Sequence, residues 1–161
     1  MTEEGTKAIS KIASLESLTV RQTELAHDFS TEPLRKPWPD GIADLKPLKK
    51  LRELDLQGNA GINDAAMQAL SEITGLKSLS IQSTPVTDAG IKLISKIKGL
   101  EKLNLMSTKI TDAGIDDLIT LSELTSLTLS YTGISNQGAR QLEHLKKLTH
   151  LELDGTEMTD E

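Results

Sequence analysis

Leu100-Glu101-Lys102-Leu103-Asn104-Leu105 returns 24 residues later as Leu124-Thr125-Ser126-Leu127-Thr128-Leu129. The same phrase precedes them as Leu76-Lys77-Ser78-Leu79-Ser80-Ile81 and Leu51-Arg52-Glu53-Leu54-Asp55-Leu56. It follows them as Leu148-Thr149-His150-Leu151-Glu152-Leu153, and an early copy is Leu15-Glu16-Ser17-Leu18-Thr19-Val20. From Leu51 onward the leading leucines are 25, 24, 24 and 24 residues apart. A fixed period of this length identifies a stacked-repeat architecture. Inside each phrase the apolar and polar residues alternate. Leu127 and Leu129 therefore share one face of a strand, and Ser126, Thr128 and Ser130 share the other.

The second half of the unit has its own signature. Val86-Thr87-Asp88-Ala89-Gly90-Ile91 recurs as Ile110-Thr111-Asp112-Ala113-Gly114-Ile115, with weaker copies at Ile62–Met67 and Ile134–Ala139. Thr87 or Asp88 is suited to cap a helix start, and the Asp charge suits its positive end. Ile91, Ile94 and Ile97 then follow at helical spacing, as do Ile115, Leu118 and Leu121. Between the halves, eight residues after the leading leucine, stand Thr23, Asn59, Thr84, Thr108, Thr132 and Thr156. The chain leaves the strand there, and a short polar side chain can bridge the backbone groups left without partners. Each unit is thus strand, turn, helix, turn. Parallel strands stack ~4.8 Å apart while packed helices need ~8–10 Å. The stack must curve, with strands on the concave side.

The LxxLxL phrase followed by Asn or Thr resembles the leucine-rich repeat family, in particular its ribonuclease-inhibitor-like and F-box-associated classes and short-repeat bacterial relatives. Thr stands where the F-box-associated class usually has Cys. The resemblance covers the whole chain. It implies an α/β fold: a right-handed solenoid in a horseshoe arc, with a parallel β-sheet on the concave face and helices on the convex face. It also implies a non-enzymatic scaffold that binds a protein partner. The alternative is the substrate-recognition part of a larger multidomain protein, such as an F-box-type ligase or an effector.

The strand register names the concave residues. Arg21, Asp55, Gln57, Gln82, Asn104, Met106, Thr128, Tyr131, His150, Glu152 and Asp154 are the expected partner contacts. Tyr131 and Arg21 are the hot-spot types among them, and Met106 is a softer anchor. Six strands span roughly 25–30 Å, enough for an interface of ~800 Å² per partner. His150, Glu152 and Asp154 share one face, but a strand separates successive ones by ~6.5–7 Å. The outer two cannot readily share an ion, so no metal site is expected, and no cofactor.

One unit is longer. Leu15 and Leu51 are 36 residues apart, and about a dozen residues, 26–39, are extra. They contain Phe29 and Trp38, two of the three aromatic residues, together with Pro33, Pro37 and Pro39. The prolines oppose a regular helix. The stretch reads as a loop that covers the N-terminal core or adds contacts. Helix resumes near Asp40-Gly41-Ile42, and the basic residues Lys46, Lys49, Lys50 and Arg52 read as a solvated edge.

The remaining composition narrows the function. The 161 residues carry a net charge of −6, contain no cysteine and are 2% aromatic. An acidic chain is a poor ligand for nucleic acid. Thiol catalysis and disulfides are excluded. His27, His144 and His150 fall in three different settings, so no hydrolytic constellation is expected. No apolar run reaches the ~18 residues of a membrane span, and Met1–Gly5 has no apolar leader. A cytoplasmic setting is the default. Residues 1–161 read as one repeat domain that starts and stops in nearly the same phase. Such ends suit an excerpt of a longer protein, or end-to-end self-association through strand edges.

Overall fold

The computed structural model describes residues 3–21 and 38–159. Helix α1 (Glu3–Ile9) precedes strand β1 (Ser17–Thr19). The order continues through α2 (Trp38–Ala43), β2 (Glu53–Asp55), α3 (Asp64–Leu70), β3 (Ser78–Ser80), α4 (Asp88–Ile94) and β4 (Lys102–Asn104). A tight turn at Asp112–Gly114 leads into α5 (Ile115–Leu118), then β5 (Ser126–Thr128), α6 (Asn136–Gln141), a second tight turn at Leu142–His144 and β6 (His150–Glu152). The six strands form one parallel sheet in sequence order. In-phase leucines lie side by side: Leu18, Leu54, Leu79, Leu103, Leu127 and Leu151. The expected α/β repeat architecture is therefore present as an open arc. Among the described residues no helix is long and apolar enough to cross a membrane.

The core lies between sheet and helices and is almost wholly aliphatic. Leu76, Ile81, Ile91, Ile94, Ile97, Leu100, Leu105, Ile115, Leu118 and Leu121 are all fully buried. Each such side chain stabilises the fold by roughly 1.5–3 kcal/mol. A ladder of this kind needs no aromatic residue, because every layer has the same thickness.

Backbone groups beyond the three-residue strands are satisfied by the neighbouring repeat. Gly58, Ser83, Ser107, Tyr131 and Gly155 have φ values of 76°, 55°, 55°, 57° and 64°. This left-handed bend turns the chain off the sheet while keeping its N–H in line. Ser83 donates to the Met106 carbonyl at 2.8 Å and Ser107 to that of Ser130 at 2.9 Å. The very next residue closes the corner: the hydroxyls of Thr84, Thr108 and Thr156 donate to the carbonyls of Ile81, Leu105 and Leu153 at 2.6, 2.6 and 2.8 Å. Asn59 does the same with its amide, reaching the Leu56 carbonyl at 2.8 Å and that of Val20 at 2.7 Å. Thr23, the first of this series, lies outside the described residues. Further along, Lys109 and Gly133 donate to the Val86 and Ile110 carbonyls at 2.9 and 2.8 Å, forming a second ladder.

The Thr-Asp-Ala-Gly signature is an inter-repeat clasp. Thr87, not Asp88, caps α4, its hydroxyl accepting from Ala89 N at 3.3 Å. The Asp88 carboxylate reaches the next repeat instead, accepting from Thr111 N at 2.9 Å and Thr111 Oγ1 at 2.8 Å. Asp64 holds Thr87 N and Oγ1 in the same way, at 2.9 and 2.7 Å. Asp112 holds Ser135 N at 2.9 Å and also its hydroxyl. The glycine follows from this geometry. A Cβ on Gly114 would stand 2.5 Å from Asp88 Oδ1, so the carboxylate occupies the space a larger residue needs.

Two readings from sequence change here. The expected insertion ended at residue 39, but α2 already begins at Trp38. Pro39 falls in its first turn, where its missing N–H costs no intrahelical bond. The rest of the insertion from 26 to 37, including Phe29, lies outside the described residues. The basic cluster is also less free than a solvated edge implies. Lys46 pairs with Glu72 at 2.8 Å. Arg52 Nη1 donates to the carbonyls of Lys49, Leu51 and Gly75 at 3.1, 3.1 and 3.3 Å. Lys49 and Lys50 are exposed. Further cross-repeat pairs are Lys77–Glu101 at 2.8 Å and Lys147–Glu123 at 2.7 Å.

The clasp predicts a particular coupling. Asp88→Ala strands the Thr111 donors and should cost about 1–3 kcal/mol. Gly114→Ala should cost about 1–3 kcal/mol by overpacking. In the double variant the clash with the carboxylate is gone, so Gly114→Ala should then cost under about 1 kcal/mol. Urea unfolding of the four proteins measures this, and strict additivity would contradict the clasp. A second outcome concerns acid. The hydrogen bond from Lys147 to Glu123, the Lys147 charge and the more distant Lys77 together hold the Glu123 carboxyl below its ordinary 4.5. A lowered folded pKa contributes stability above the unfolded value, and loses it as pH falls through the lowered one. Glu123→Gln should therefore destabilise slightly at neutral pH and have no effect once Glu123 would be protonated. Thermal unfolding at both pH values tests it, and an equal effect at both would contradict the pairing.

Candidate interaction face

Alternation along each strand sends every second side chain to the inner side of the arc, so three rows of side chains cross the sheet. The first row is Ser17, Glu53, Ser78, Lys102, Ser126 and His150. The second is Thr19, Asp55, Ser80, Asn104, Thr128 and Glu152. Strand exits supply the third: Arg21, Gln57, Gln82, Met106, Ser130 and Asp154.

The middle of this face holds a shallow depression of about 330 Å³. Six of the eleven residues expected as partner contacts line it: Arg21, Asp55, Gln57, Gln82, Asn104 and Thr128. Several are already engaged with one another. Arg21 pairs with Asp55 at 2.7 and 2.8 Å. Asn104 donates to Gln82 Oε1 at 3.2 Å, and its Oδ1 accepts from Met106 N at 3.0 Å. Asp55 likewise accepts from Gln57 N at 3.0 Å. Such bonds preorganise the wall and leave fewer free groups for a partner.

Met106, Tyr131, His150, Glu152 and Asp154 lie outside the depression, toward the β6 side and the rim. Glu152 accepts a long bond of 3.4 Å from Thr128, and the His150 ring meets the Thr149 hydroxyl at 3.0 Å. Among the described residues no group of three or more His, Asp and Glu could hold a metal ion. His144 bonds the Gln141 carbonyl at 2.8 Å on the helical side, so the core separates it from His150. Ser130, in the third row, is 2% exposed and accepts from Asp154 N at 3.2 Å, so it belongs to the wall rather than the surface. Leu151 and Met158 beside β6 are 41% and 39% exposed.

Six further lining residues were not singled out as contacts: Ser78, Leu79, Ser80, Lys102, Leu103 and Ser126. Their signal was present in the alternation. Serines on β3 and β5, to either side of β4, leave space above the sheet, and space is what makes a depression.

Tyr131 is the exposed aromatic of the described face, at 58% exposure. It stands at the left-handed corner position, with φ 57°. A side chain there costs roughly 1–2 kcal/mol. Its N–H donates to the Asp154 carbonyl at 2.7 Å. Its ring rests on Gly155, where an added Cβ would stand 2.5 Å from Cδ1.

A family model described as Leucine Rich repeat matches residues 48–71 and 100–118. No curated protein matches the sequence. Among solved structures, an internalin from Listeria monocytogenes is similar, with a TM-score of 0.70 and 24% identity over 96% of this chain. The match covers 46% of that internalin, so this chain spans under half its length. Those two stretches match leucine-rich repeats, and the fold of the chain is that of a leucine-rich-repeat solenoid.

Because Asn tolerates the left-handed corner, Tyr131→Asn should change stability by less than about 1 kcal/mol. A loss of several kcal/mol on denaturant unfolding would mean that the ring supports the fold rather than the surface.

Proposed function

We propose that the chain is a non-catalytic interaction module that binds a protein partner through its concave sheet. The observation that carries this reading is Tyr131. An aromatic ring occupies a strained corner where the other repeats place Gly58, Ser83, Ser107 and Gly155, and it remains solvent-exposed beside a polar depression. Backbone strain at an exposed aromatic is an inference toward function, and exposed Tyr is a typical binding anchor. The curved solenoid supports the same reading, since its concave surface is extended and varies freely from repeat to repeat. Met106, half-buried one strand away, adds an adaptable apolar contact.

Affinity capture with the wild type against Tyr131→Ala combined with Met106→Ala is the test. The double variant should lose its captured partner, with affinity falling at least about tenfold. An unchanged set of partners would overturn binding through this face.

A further inference from the structure

Among the described residues the inner face carries two cations, and they differ. Arg21 is paired with Asp55. Lys102 has no counterion among the described residues and is exposed at the floor of the depression. The strand register sets it between Ser78 on β3 and Ser126 on β5, with Ser80 two residues along β3. These three serines line the depression, and among the described residues none of their hydroxyls has a hydrogen-bond partner. One ammonium and three unbonded hydroxyls thus line the same depression. All can donate to an oxyanion, and short neighbours leave room for a carboxylate to reach Nζ.

The flanks have the opposite sign. In the same row Glu53 lies two strands away on β2. On the other side, also two strands away, Glu152 closes the second row on β6 and Asp154 follows it. Two strand spacings are about 10 Å, which an extended segment crosses in about three residues at ~3.3 Å each.

Resting on the concave-face reading above, we infer that this face recognises an extended segment of a protein partner by charge. An acidic side chain sits against Lys102 and the serines, and basic residues three positions to either side meet Glu53 and the Glu152–Asp154 end. The overall charge of −6 favours such a segment over a phosphate-rich polymer.

The probes are two end-blocked peptides, Lys-Ser-Ser-Glu-Ser-Ser-Lys and its charge-reversed counterpart Glu-Ser-Ser-Lys-Ser-Ser-Glu, titrated into the full chain by NMR. The first should shift the amides of Ser78, Lys102 and Ser126 and bind about tenfold tighter than the second. Lys102→Glu should shrink that preference several-fold, the acidic flanks keeping the remainder, without altering thermal unfolding, because the side chain is exposed. Lys102→Gln, which removes the charge without adding one, should shrink the preference by a smaller factor and serves if the first variant fails to fold. Equal binding of the two peptides, no binding of either, shifts confined to other residues, or a preference unmoved by both variants would overturn the inference. None of those results touches the wider reading, which stands or falls on capture through Tyr131 and Met106.

Discussion

No repeat of this chain can satisfy its own backbone. A three-residue strand followed at once by a turn leaves donors and acceptors on both sides, and only the next repeat can meet them. Unpaired buried polar groups cost about 1–3 kcal/mol each, so the stacking is obligatory rather than favourable on average. The corner residues continue the ladder through a left-handed bend, and the threonines close the turn behind them. The Asp–Thr clasp then ties the helical half of one repeat to that of the next. Apolar burial drives the stack together, but these bonds set its register.

That constraint divides the residues into two sets. Positions that bond or pack against the neighbouring repeat have little freedom, which is why Leu, Thr, Asp and Gly recur at a fixed period. Inward-facing polar positions are bound by fewer demands from the neighbouring repeat and vary from strand to strand. What distinguishes this molecule from any other stack of the same unit therefore lies in the variable rows, with Glu53, Ser78, Lys102, Ser126 and Asp154, and in the corner residue Tyr131. A carboxylate and an ammonium two strands apart are too far to neutralise each other fully at physiological salt, where screening acts over about 8 Å. The face keeps a pattern of sign that a partner can read.

The strands, the buried leucines and the inward rows could be read from the sequence because each depends on local alternation and on one period. The role of Asp88 could not. Within its own repeat it looks like a helix-start residue, and its actual partner, Thr111, is 23 residues away. The glycine at 114 was equally opaque, since the atom that excludes a side chain there belongs to the preceding repeat. Lys102 appeared as one polar residue among many. Its isolation depends on which residues stand beside it on β3 and β5, and that is a property of register. The start of α2 was missed because Pro39 signals a break in an extended reading, yet is harmless in a first helical turn.

Tyr131 and Gly155 show how one site can satisfy both sets of demands. The corner at 131 must be left-handed for its N–H to reach the Asp154 carbonyl. Glycine would meet that demand at no steric cost, and the same corner at 58 and 155 is glycine. At 131 the chain accepts the strain of a tyrosine, and the ring is then supported from below by the bare Cα of Gly155. Gly155 is thereby required twice: for its own φ of 64° and for the absence of a Cβ under the ring. A residue that only shielded the core would be buried, but this ring is exposed. The fold bears a cost and leaves no Cβ at the neighbouring glycine, which supports an exposed aromatic ring; under the proposed binding through this face, such support would lessen the conformational freedom lost on association.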